Sequence, residues 1–142
     1  MKLKSIFSKF VDWLKSPEVF GSKKKLIPGK WHLFEYYVDE GEDLLHFDEN
    51  ALNENKVLFV ISLLNTHEFI VAGNPPVKLL KGTSEGKWSV ARNFITFIDP
   101  KDFRNNIEFQ YAFEKGNLKL LKKDAMGKIE FFGFFHSPKQ KS

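Results

Sequence analysis

From Gly29 to Phe135 the chain repeats one pattern: a short run of β-branched and aromatic residues, a break of Gly, Asn, Asp or Pro, then another run. Runs this short and this closely punctuated read as strands joined by tight turns. The clearest case closes the chain. Ile107 to Phe113 alternates apolar and polar, Glu114-Lys115-Gly116-Asn117 turns, Leu118 to Lys122 returns, and Asp124-Ala125-Met126-Gly127 leads into Lys128 to Phe131. That succession is a meander. Earlier, Lys56 to Leu64 and His67 to Ala72 form a hairpin across Asn65-Thr66, and Trp88 to Ala91 and Phe94 to Ile98 form another across Arg92-Asn93. The fold class is all-β: an antiparallel up-and-down barrel of about 8–10 short strands, with an amphipathic helix ahead of it.

Pro28-Gly29-Lys30-Trp31 marks the start of the body, where ten residues of strong strand preference follow a basic leader. Residues 1–22 are read as helix and linker, and residues 23–142 as one barrel domain with a polar tail. In the leader, Leu3, Ile6, Phe7, Phe10, Trp13 and Leu14 recur at helical spacing, leaving lysines for the opposite side. Ser16-Pro17 ends the helix. Such a helix either docks on the barrel, lies in a membrane interface with its lysines toward anionic headgroups, or fills a partner's groove. The two apolar phases of Lys56 to Leu64 suggest that this strand is the one covered on both faces.

Composition removes several chemistries. With no Cys, the chain has no disulfide, thiol nucleophile or Cys-ligated metal. The four His are scattered, no phosphate-binding loop occurs, and no metal or cofactor is expected. Asp48 to Asn55 reads as a polar loop without calcium-loop spacing. Gly82-Thr83-Ser84-Glu85-Gly86 has the form of a hydrolase nucleophile elbow but lies between strands, so it is a turn. Residues 1–30 carry a net charge of +6, residues 31–70 of −8, and residues 71–142 of +6. Only two of the 22 basic residues are Arg, which disfavours nucleic acid as a partner. The leader lacks the continuous apolar core of a signal peptide and no segment is long enough to span a bilayer, so the expected location is cytoplasmic, peripheral at the inner membrane face if the helix binds lipid.

If Trp31 points into the barrel, strict alternation carries Leu33, Glu35 and Tyr37 inward with it. A buried Glu35 would need a hydrogen-bond partner or a raised pKa, which makes it a candidate polar anchor for a ligand; the alternative is that the strand bends or shifts in phase and the carboxylate sits in water. Trp88, Val90, Phe109, Tyr111 and Phe113 complete the candidate lining. Phe131-Phe132-Gly133-Phe134-Phe135 is expected to change phase at its Gly, as at a bulge or barrel corner.

Gly29-Lys30-Trp31, the helical segment before it and the hairpins from Lys56 to Phe135 resemble the lipocalin-like β-barrel proteins of the calycin group, in particular small bacterial lipocalin-like domains. The resemblance covers about residues 25–136. It implies that Trp31 packs at the closed barrel end and that a hydrophobic small molecule sits toward the open end. The family's late Arg over that Trp has no counterpart after Arg104; Lys119 or Lys122 stands in its region. The expected function is noncatalytic binding of a small apolar or amphipathic molecule. The alternatives are a filled barrel that docks on a membrane surface or protein partner, and a small barrel enzyme.

Overall fold

A computed structural model of the chain describes residues 26–40, 43–75 and 84–138. The leader helix expected over residues 2–15, the proposed 1–22 boundary and the strand expected over Val77 to Leu80 lie outside the described residues. Nine strands make one antiparallel sheet: β1 (Gly29–Glu40), β2 (Asp43–Phe47), β3 (Phe59–Leu63), β4 (Glu68–Gly73), β5 (Glu85–Ala91), β6 (Phe94–Ile98), β7 (Ile107–Glu114), β8 (Asn117–Lys123) and β9 (Ile129–His136). Every pairing joins chain neighbours except two. β1 pairs with β3 through Gly29 to His32, and on its other edge with β9 through His32 to Tyr37. The second of these closes the sheet into an eight-stranded up-and-down barrel. β2 lies outside the closed ring and extends the wall along the upper half of β1, from Tyr36↔Phe47 to Glu40↔Asp43.

The registers define two ends. The lower end holds the entry to β1, the turns β3–β4, β5–β6 and β7–β8, and the exit of β9. The upper end holds the last residues of β1 and β4, the first residues of β2 and β5, the 99–106 loop and the β8–β9 turn. Lys115 and Gly116, with φ of 53° and 83°, make the two-residue turn whose twist matches a right-handed hairpin.

The stretch expected to be a polar loop contains a short helix, α1 (Glu49–Glu54). The Asp48 carboxylate accepts from Ala51 N at 2.9 Å, satisfying one of the free amides of the first turn. Leu52 is the helix's buried residue and joins the barrel core. Asn74 fixes the exit, accepting from Leu58 N at 2.7 Å and donating to Lys56 O at 3.2 Å.

The interior is apolar and rich in rings. Phe69 lies 5.0 Å from Phe97, Phe97 5.5 Å from Phe109, Phe109 6.4 Å from Phe131, and Phe131 6.4 Å from Phe59, so rings from β4, β6, β7, β9 and β3 form one connected series. Their tilted and edge-on arrangements are the ones aromatic quadrupoles favour. From Phe131 on, β9 alternates: Phe131, Gly133 and Phe135 face in, Phe132 and Phe134 face out. The phase change of this strand falls between Ile129 and Phe131, where its pairing with β8 shifts register, and not at Gly133. A Cβ there would overlap the Phe131 ring, so this Gly makes room for a neighbour rather than bending the strand.

Candidate functional site

The geometry of β1 decides which residues of the expected lining share one space. Trp31 and Leu33 face inward as expected. Between Leu33 and Glu35 the β1–β9 register slips, because one extra residue is inserted opposite Phe134 and Phe135. A bulge of this kind shifts the alternation by one. Tyr36 and Val38 therefore face the interior, and Glu35 and Tyr37, expected inside, face outward. Glu35 is thus excluded as an interior anchor. The inward phenol of β1 is Tyr36, stacked on Phe47 at 4.7 Å and near Phe131 at 5.8 Å. Strict alternation from Trp31 missed it; the one local sign of the slip is Glu35, whose carboxylate that alternation would bury.

Trp88, Phe109, Tyr111 and Phe113 are buried in the same core as Trp31 and Leu33, with Val90 packed against it. Three of these side chains have polar tips, and all three donate to backbone carbonyls at the lower end. Trp31 Nε1 donates to Ile27 O at 2.8 Å, Trp88 Nε1 to Leu64 O at 3.1 Å, and the Tyr111 hydroxyl to Arg92 O at 3.3 Å. The two Gly-Lys-Trp tripeptides thus play the same part on opposite sides of the barrel: each Trp is pinned to a chain segment that closes the floor. Phe113 packs on Trp31 at 5.8 Å. Burial also raises the pKa of Tyr111, so its hydroxyl remains a donor at neutral pH.

Above this floor the interior offers Leu33, Tyr36, Val38, Phe59, Phe109 and Phe131, with Leu52 of α1 closing over them. Asp43, Asp48, Glu49 and Glu54 are exposed around that end. The acidic stretch of the sequence therefore forms part of the upper rim.

On the outer wall, Glu35 accepts from the Tyr37 hydroxyl at 3.3 Å and its carboxylate lies 2.6 Å from His46 Nε2, while Tyr37 and His46 stack at 4.3 Å. Burial, then the Glu35 charge and its hydrogen bond, push the Tyr37 phenol up to about 12. This group orients an aromatic surface on the outer wall. Two surface grooves of similar size are formed by described residues. One, of about 660 Å³, runs from Glu68 and Ile70 across Glu85 and Lys87 to Asp99 and Lys101. The other, of about 670 Å³ and mostly apolar, lies at the lower end between Gly29, His32, Leu63 and Ser137. Burial and the nearby Lys30 lower the pKa of His32, leaving its ring neutral at pH 7.

Among the described residues no group of three or more His, Asp or Glu is placed to hold a metal ion, and no helix is long and apolar enough to cross a membrane. The closed antiparallel barrel with its ring-lined interior is consistent with the calycin architecture. Comparison with protein-family models, curated proteins and solved structures finds no match.

Proposed function

We propose that the protein is a noncatalytic binding protein of lipocalin-like type that holds a small apolar or amphipathic molecule in the upper half of its barrel. The observation that carries this reading is the division of the interior. Trp31, Trp88 and Tyr111 direct their polar tips to floor carbonyls, while the side chains above them, Leu33, Phe59 and Phe109 with Leu52 of α1, are apolar and Tyr36 adds a single phenol. An eight-stranded barrel has an interior of the right width for one small guest or for its own side chains. Val90 and Phe113 belong to the floor, and Tyr36 replaces Glu35 as the polar group nearest the guest.

The continuous contact among Phe59, Phe69, Phe97, Phe109 and Phe131 favours a second reading: the barrel is filled and works through its outer surface as an interaction module. Native mass spectrometry of freshly purified protein separates the two. The first reading expects a co-purified mass, or saturable uptake of a neutral long-chain alcohol that Leu33→Trp blocks. An unliganded barrel showing no saturable uptake of alcohols, amines or acids removes the first reading and leaves the second.

A further inference from the structure

Four outward-facing side chains of this barrel are as buried as its interior. Ala112, Leu121 and Phe132 are 0%, 1% and 4% exposed, and together with Ile129 they form a cluster separate from the barrel core. The Lys119 side chain, on the same wall, is only 13% exposed, with Nζ 2.5 Å from Glu114 and 5.4 Å from the centre of the Phe134 ring. A lysine on a barrel wall ordinarily extends into water. Tyr37, Leu44 and Phe134 pack against the cluster, Phe34 adjoins Phe134, and His32 stacks with His136 at the lower margin. His32 Nε2 is sealed from solvent without a hydrogen-bond partner. Among the described residues no helix or second sheet lies over this wall: α1, the helix that contacts the barrel, touches β1 and β2.

We propose that residues 2–15 form an amphipathic helix that lies lengthwise on the outer faces of β1, β9 and β8. Leu3, Ile6, Phe7, Phe10, Trp13 and Leu14 meet the Phe132, Phe134 and Leu121 strip, and the lysines of the leader face water. The dimensions agree. A helix over residues 2–15 is about 21 Å long and about 10 Å wide. The strip runs from the His32–His136 level to the Tyr37–Phe132 level, about 17 Å of strand, and is three strands or about 10 Å across. The chain enters at the lower margin, where Ile27 is held by Trp31, and residues 16–25 reach up to about 33 Å. The helix therefore covers an outer wall and leaves both barrel ends free, so this inference stands whether or not the interior takes a guest.

The test is amide hydrogen exchange on the full chain in lipid-free buffer, with a Phe10→Glu/Trp13→Glu variant that cannot perturb the barrel core. In the native chain, amides of residues 5–15 exchange at least about tenfold more slowly than in an unstructured segment, at every protein concentration. In the variant that protection is lost, β7–β9 amides keep theirs, and binding of an apolar fluorescent dye rises. Leu121→Glu, made on the wall side, gives the same loss. Protection that is absent in the native chain, survives in the leader variant, appears only with anionic phosphatidylglycerol vesicles, or falls on dilution as in a dimer contact overturns the proposal.

Discussion

Tyr37 lies on the outer wall yet ionises with more difficulty than a free tyrosine, because its ring is covered by neighbours and its hydroxyl is held against Glu35. Tyr36 and Tyr111 are also raised, by burial alone. The chain has three tyrosines, so none is ordinary. An ionisable acid whose folded pKa exceeds its unfolded value keeps its proton while the unfolded chain loses one, so folding stability declines as pH rises past about 10. Absorbance at 295 nm is therefore expected to show less tyrosinate at pH 10 in the folded protein than in the unfolded chain, with Tyr37 still protonated and the full signal appearing as the barrel opens. A phenol that titrates near 10 before unfolding contradicts this placement. The same residue marks the limit of what sequence shows here. Trp31 fixes the phase of β1 correctly for Leu33, but the slip before Glu35 is signalled only by the carboxylate that strict alternation would bury, and its position could not be read, so Tyr36 takes the interior place assigned to Tyr37.

Elements with strong local signals were legible: the hairpins at Asn65-Thr66, Arg92-Asn93 and Lys115-Gly116 stand where their turn residues place them. α1 was not, because its six residues are too few to display helical periodicity and Leu52 alone anchors it. Its stability rests on the cap. Asp48→Ala removes the acceptor for Ala51 N and is expected to lower stability by about 1 kcal/mol, read as a reduced urea midpoint with an unchanged slope. A variant equal to the native chain would show that Leu52 packing suffices. The two-sided burial expected of β3 is present, since Val60 is enclosed on the phase opposite to Phe59, Ile61 and Leu63, although Leu58 and Leu64 at its borders are exposed. That β8 and β9 are also buried on both faces was not legible, because outward Leu121 and Phe132 could be recognised only once the register was known.

At the scale of the molecule, closure gives the strands unequal protection. β9 is paired on both edges, to β8 and β1, with buried residues on both faces, while β2 is paired along one edge at the rim. Native-state exchange is accordingly expected to open β2 well below the global unfolding free energy and β9 only with it. Equal rates for the two strands would mean that the β1–β2 hairpin is part of the cooperative unit. The pairing of β1 with β9 also has a consequence for synthesis. These strands begin at Gly29 and Ile129, so at 5–20 residues per second β1 waits on the order of ten seconds outside the ribosome before its partner exists. For that interval its Leu33 to Tyr37 edge is an open template for mispairing with other nascent chains, and yield in the cell will depend on how well holdase chaperones shield it.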